Sequence, residues 1–519
     1  MAKTFRFDDV PVLETTGGKL RGYFYNGAYI FKGVPYAYAD RFQMPKEMKW
    51  EGVKEAHSYG FVCPLMDQDI PCAELMVPHR YWPQDEHCQN LNIWTKCLDD
   101  GRKMPVVVWL HGGGYFAGSS IEQTAYDGFN MCMNGDVVVV SVNHRLNILG
   151  YLDLSLFGEK YANSGNAGHA DMVAALQWIH DNIALFGGDP DNVTIFGQSG
   201  GGMKVTDLMQ IEEADGLFHK GLVMSGVNDG KLMPTCTGDG REIVTKMLEE
   251  LHIPVNEVEK LESVPYYELV KAYQKVSPAV AKQGGYIGGC PLANAYYKGN
   301  PLIYGFREHA YTIPLMTGSV FGEFAFMPAS YDKNKLTEAQ MEEAIKPVYG
   351  EHTAEMIKLF REAFPGKNPT DLLWIDRVMR QPTKRLAGLH AKGGNAGTYL
   401  YEFTLEFPIY HNKIAWHCSD IPFFFHNTEL VEVCQIPDVG EKLESQIFEA
   451  FMSFVKTGKP ESDKLPVWEP VTKEQEPTMI FDKDCEVRYQ FDDRLYEKID
   501  SILPPFDMMK MTEEQNVQH

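Results

Sequence analysis

A short run of β-branched and apolar residues, Val193-Thr194-Ile195-Phe196, leads straight into Gly197-Gln198-Ser199-Gly200-Gly201, and a helical stretch begins near Gly202. Few folds place a serine at so tight a strand–turn–helix junction. G-x-S-x-G in this context forms a nucleophile elbow, whose strained turn lifts the serine hydroxyl above a sheet edge. Small neighbours at Gly197 and Gly201 let strand and helix approach, and the helix N-terminus sets partial positive charge near a developing anion. Taken alone, the five residues also fit a glycine-rich turn holding an ordinary serine.

A second glycine cluster narrows that choice. His111-Gly112-Gly113-Gly114-Tyr115 follows the apolar strand Pro105 to Leu110. Three successive glycines have no role in a strand, but the N–H groups of such a loop can converge on one point. Acyl transfer needs such donors, because its tetrahedral intermediate carries an oxyanion. HGGG upstream of G-x-S-x-G is a recognised pairing, and it makes Gly113, Gly114 and Gly200 the candidate donors. The alternative, a phosphate-binding glycine loop, lacks its companion G-K-[ST].

The remaining pattern is one of alternation. Strand-like runs at 91–94, 105–110, 136–142, 193–196, 222–226, 311–318 and 399–403 are interleaved with helical stretches at 166–185, 237–285, 335–395 and 442–456. Such alternation implies βαβ units and a mostly parallel central sheet flanked by helices, an α/β fold. Residues 11–35, with their paired glycines, read as a small N-terminal antiparallel sheet. One domain spanning 1–519 is expected, with helical cap insertions at 237–300 and 335–395 and a frayed polar tail at 512–519.

Charge and composition bear on partners. A net charge of −23 repels phosphate backbones and argues against nucleic acid. No run of about 18 apolar residues is present, so no membrane span is expected. Charges interrupt the first residues too early for a signal peptide, which makes a cytoplasmic chain the expectation. Ten cysteines without a C-x-x-C pair are read as mostly reduced thiols. Cys63, Cys72, His79, His87 and Cys88 lie close in sequence, but their spacing fits no standard zinc site. Neither metal nor cofactor is expected.

Over nearly its whole length the chain resembles the type-B carboxylesterase family, and most of all its bacterial aryl (para-nitrobenzyl-type) esterases. The densest match runs from Gly165-Asn166-Ala167-Gly168-His169-Ala170-Asp171 through Phe186-Gly187-Gly188-Asp189-Pro190 into Gly197-Gln198-Ser199. Asp85 to Ile93 resembles a second signature, and Trp468 and Pro470 a late W-x-P. The resemblance implies an α/β-hydrolase fold and a triad in the chain order Ser, Glu, His, with Ser199 as nucleophile. It assigns the acid to Glu323, where Gly322 and Phe324 replace the usual Asp and Gly. It assigns the base to His417 over its nearest rivals His111 and His426, with Cys418 and Asp420 as mild departures. Ser225 matches a serine near the triad. Ion pairs Arg41–Glu86 and Arg145–Asp171 are also implied. Secreted members join the cysteines matching Cys63 and Cys88, which are expected here as free thiols.

The function so implied is hydrolysis of carboxylic esters through an acyl-enzyme, with a small to medium aryl or alkyl ester as the small-molecule partner. Tyr115, Phe116, Phe321, Phe324 and Trp416 are the candidate pocket walls. Ring faces of this kind can also hold a cation, which the net charge would help recruit. The competing readings are a lipase, thioesterase or amidase of the same fold, and a non-catalytic binding or adhesion member, a type in which the nucleophile is replaced.

Overall fold

Valine-rich runs build the centre of the molecule. In a computed structural model describing residues 4–66, 79–230, 237–326, 331–394 and 396–506, twelve strands form one sheet. In chain order they are β1 (Phe5–Arg6), β2 (Tyr23–Tyr25), β3 (Ala28–Pro35), β4 (Asn90–Thr95), β5 (Met104–Leu110), β6 (Val138–Val142), β7 (Gly188–Gln198), β8 (Lys220–Met224), β9 (Leu315–Val320), β10 (Thr398–Phe403), β11 (Pro477–Phe481) and β12 (Glu486–Tyr489). Their spatial order is β1-β2-β3-β4-β6-β5-β7-β8-β9-β10-β11-β12. From β6 to β11 every pairing is parallel; the pairs on either side are antiparallel.

Alternate residues of the central strands feed two core layers, because successive side chains of a strand point to opposite faces. Val107 and Trp109 join Phe196, Ile447 and Phe451, the last two from helix Gly440–Thr457. Val106, Val108 and Ile195 join Met172, Leu176 and Ile179 of helix Ala167–Asn182. With both faces covered, β5 to β8 contain almost no exposed position, as parallel strands between helices require.

Some details depart from the sequence reading. Only Leu13–Thr15, Gly18–Arg21 and Val53–Glu55 form a small separate N-terminal sheet, and its last pairing is parallel. Residues 23–35 instead extend the edge of the large sheet. Helices Arg241–Glu250 and Tyr266–Lys282 share a separate core with Ile148, Leu152 and Tyr161. Within 335–395, helix Arg380–Lys392 lies directly on β9 and β10, so that part covers the sheet face. β11, β12 and helix Asp493–Ile502 were not anticipated. The expected tail at 512–519 lies outside the described residues, as does Cys72.

Cys63 and Cys88 are free and buried, and burial pushes the Cys88 thiol well above its usual range, whereas Cys290 is disulfide-bonded. No helix of the described residues is long and apolar enough to cross a membrane. The three clustered carboxylates among the described residues, Glu476, Asp492 and Asp493, surround the ammonium of Lys384.

Arg145 and Asp171 form a bidentate pair at 2.7 and 2.8 Å, both fully buried. Arg41 braces Glu86 in the same way and also donates to the carbonyls of Leu261 and Val264. Removing one partner of a dry pair strands the other's charge. Arg145→Met is therefore expected to lower unfolding free energy by about 3–5 kcal/mol, read from urea denaturation.

Candidate active site

The sheet order reverses at β5, which lies between β6 and β7. Ligands of open α/β sheets bind outside the carboxyl ends of strands at such a switch point. Both glycine motifs leave the sheet there: β5 ends at Leu110, paired with Gly197 of β7.

Ser199 follows β7 with φ 57° and ψ −127°, a strained conformation for a residue with a side chain. Its N–H donates to the Met224 carbonyl at 2.8 Å, and helix Gly200–Leu208 starts at the next residue. A Cβ at Gly201 would lie 2.0 Å from the Leu110 carbonyl, so only glycine allows the helix this close to β5. Gly113 and Gly114 have φ of 85° and 61°. A Cβ at Gly200 would fall 2.5 Å from the Gly114 nitrogen, so the two backbones touch beside Ser199. Among the described residues, the N–H groups of Gly113, Gly114 and Gly200 donate to no protein acceptor. The arrangement can receive an anion with preformed donors.

A His–Glu pair lies at the same sheet edge. Glu323, fully buried, accepts from the Val320 N–H at 2.9 Å and from His417 Nδ1 at 2.5 Å. The His417 N–H donates to the Glu323 carbonyl at 2.8 Å, which ties the two segments together. With its proton committed to Nδ1, the ring presents Nε2 as an acceptor. The Gln198 amide nitrogen lies 3.3 Å from Nδ1 and 3.2 Å from Nε2 of this ring, while Gln198 Oε1 accepts from the Cys418 thiol at 3.2 Å. Ser199 Oγ makes no hydrogen bond among the described residues, so the serine–imidazole contact is open in this state; such contacts tighten when substrate binds.

Two further acids lie nearby. Burial, and the field of Glu323, push Asp376 and Asp420 each up to about 7. Asp420 also accepts from the Tyr401 hydroxyl at 2.8 Å. Burial and the charge of Lys204 hold His111 well below the usual histidine range. Its Nδ1 faces the Gly112 carbonyl at 2.8 Å, and its ring stacks on His144, so His111 braces the glycine loop. His426 faces Glu444 and stacks on Phe448. Ser225 adopts φ 45°, and its N–H donates to Gly318; its buried hydroxyl has no protein partner among the described residues.

The aromatic candidates divide. Phe324 stacks on the His417 ring at 5.6 Å and 20°, and Phe506 stacks on the outer face of Phe324 at 5.9 Å and 22°. Phe116 is exposed and reaches Gly289. Tyr115, Met203, Gly226, Val227 and Leu386 border a cavity of about 50 Å³ adjoining the Ser199 backbone. Phe321 and Trp416, read as pocket walls, are instead core side chains. Phe321 is sealed against Phe360 and Phe364, and Trp416 against Phe407. Phe321 follows directly on β9 and shares the core of Val320, while Phe324 lies on the turn beyond it, stacked on His417. Met203, Val227 and Leu386 had no motif to mark them, and Gln198 was visible only as the variable position of G-x-S-x-G.

Comparisons with known proteins identify the family. The carboxylesterase family profile matches residues 9–498. Para-nitrobenzyl esterase of Bacillus subtilis is 29% identical over 486 residues, covering 92% of this chain and 96% of that protein. Phenmedipham hydrolase of Pseudarthrobacter oxydans is 30% identical over 500 residues, covering 91% and 94%. A solved esterase from anaerobic Clostridium hathewayi, which can hydrolyze aliphatic aromatic polyesters, superposes with TM-score 0.95 at 56% identity, covering 97% of this chain and all of that one. The fold and site define an α/β enzyme of ester chemistry. The chain belongs to the carboxylesterase family and is a carboxylic-ester hydrolase.

The strain at Ser199 predicts an unusual stability effect. Ser199→Gly relieves the positive φ at the cost of a more flexible unfolded chain. The variant is expected to be more stable by about 1 kcal/mol, measured by urea unfolding, whereas Ser199→Ala is not.

Proposed function

We propose that Ser199, His417 and Glu323 form the catalytic triad and that the chain hydrolyses small to medium aryl or alkyl esters through an acyl-enzyme. His417 Nε2 takes the Ser199 proton as Oγ attacks the ester carbonyl carbon. Glu323 holds the Nδ1 proton and stabilises the imidazolium. The oxyanion accepts from Gly113, Gly114 and Gly200. His417 then protonates the departing alcohol, and the same base activates the water that releases the acid. Every proton transfer in this scheme uses groups of the chain itself.

The observation that carries the reading is a strained serine beside three amides that donate to no acceptor among the described residues, with a His–Glu pair at the same sheet edge. The named activities of the relatives, on para-nitrobenzyl compounds and aliphatic aromatic polyesters, support the aryl and alkyl range. The ring stack of Phe324 and Phe506 beside the base supports it as well.

Ser199→Ala is expected to reduce p-nitrophenyl ester turnover by about 10⁴-fold or more, with its melting temperature nearly unchanged and fluorophosphonate labelling lost. Glu323→Gln is expected to lower kcat by about 10³–10⁴-fold, because the imidazole loses its oriented tautomer. Full turnover in Ser199→Ala would refute the assignment. Faster turnover of a matched thioester, amide or long-chain ester would move the substrate class instead.

A further inference from the structure

The helix that begins at Gly200 carries two buried polar residues one turn apart, Lys204 and Asp207. Lys204 Nζ donates to the His111 carbonyl at 2.9 Å. Asp207 accepts from the Tyr115 hydroxyl at 2.5 Å, from the Tyr297 hydroxyl, and faces His169 Nε2 at 3.1 Å. His111 and Tyr115 are the first and last residues of the loop His111-Gly112-Gly113-Gly114-Tyr115. One helix therefore grips the loop at both ends, and the same helix supplies Gly200.

A loop of three glycines loses much conformational freedom when it is ordered, and so has the greatest need of anchors. Four of its five carbonyls accept hydrogen bonds: His111 from Lys204, Gly112 from the His111 ring, Gly113 from the N–H groups of Phe116 and Ala117, and Tyr115 from the Asn147 N–H. Its amides at Gly113 and Gly114 are left without protein acceptors. Burial of an ammonium is costly, and it pushes Lys204 down to about 7, with Asp207 and Glu122 opposing that fall. A charge-assisted bond in a dry interior is strong when both partners are fixed.

We infer that Lys204 and Asp207 are positioning residues that clamp the glycine loop onto the nucleophile's helix, holding the Gly113 and Gly114 donors in register with Gly200. The inference rests on the reading above, in which those three amides receive the oxyanion. Lys204 acts on the start of the loop and Asp207, through Tyr115, on its end. Neither touches the reacting atoms.

The test uses Lys204→Met and Tyr115→Phe in the full chain. Tyr115→Phe removes a single hydroxyl and leaves Asp207 its other two partners. Steady-state hydrolysis of a p-nitrophenyl ester is measured alongside inhibition by a trifluoromethyl ketone, whose adduct with Ser199 carries the oxyanion. Each variant is expected to lose about 10-fold in kcat with KM changed less than about two-fold. The inhibition constant for the ketone should rise by the same factor as kcat/KM falls. Thermal melts identify which variants are folded, and if Lys204→Met does not fold, Tyr115→Phe decides. Unchanged kcat and ketone affinity in the folded variants would overturn the clamp, as would a rise in KM at constant kcat. A wild-type chain inert to both fluorophosphonate and ketone would instead overturn the triad reading beneath it.

Discussion

The meeting of β5 and β7 is the constraint on which the rest of the structure depends. Two parallel strands end side by side, and a helix starts within van der Waals contact of both. That approach is possible because no Cβ stands at Gly201, where the Leu110 carbonyl already occupies the space. It also leaves Ser199 in a backbone conformation that a serine avoids when free. Packing on both faces of the sheet, from helices Ala167–Asn182 and Gly440–Thr457, holds that strain in place. Rigid strands thus fix the positions of two loops that need to agree to within a fraction of an ångström.

Electrostatics in the interior follow one logic. Charges removed from water are either paired in full or held neutral. Arg145 with Asp171, and Arg380 with Asp492, follow the first course. Burial raises Asp376, Asp420 and Glu402 each to about 7, so these acids hold their protons more readily than an exposed carboxyl does. Glu323 differs from these acids in having a ring N–H and a backbone N–H directed at its two oxygens. Asp376 accepts from the N–H groups of Val378, Met379 and Arg380, all backbone donors, whereas one of the donors to Glu323 is the His417 ring.

Much of this was legible from residues alone, for reasons that can be named. β5, β6 and β7 are apolar runs, and such runs betray parallel strands covered on both sides. The glycine motifs announced their turns because only glycine tolerates those backbone angles and approaches. Glu323 and His417 became readable through family likeness, since one carboxylate among many carries no local signature. Lys204 and Asp207 escaped notice for the opposite reason: charged residues in a helix are ordinarily solvated, and only the fold reveals them as buried. Phe321 and Trp416 misled because aromatic side chains near a motif look alike in sequence, whether they face a cavity or the core. β11 was missed because its apolar run is only three residues long behind Pro477 and Thr478, and β12 and helix Asp493–Ile502 because theirs are broken by charge.

The stack of Phe506 on Phe324 on His417 joins the last described residues of the polypeptide to the imidazole that faces Glu323. The Arg377 guanidinium pins this segment by donating to the Pro504 carbonyl at 2.5 Å. Engineering of the carboxyl-terminal segment is thus not chemically remote. A fusion, truncation or surface attachment introduced just before residue 506 would disturb a ring only one aromatic layer from the imidazole, whereas the strands Leu13–Thr15 and Gly18–Arg21 offer an attachment point in a sheet separate from the twelve-stranded one.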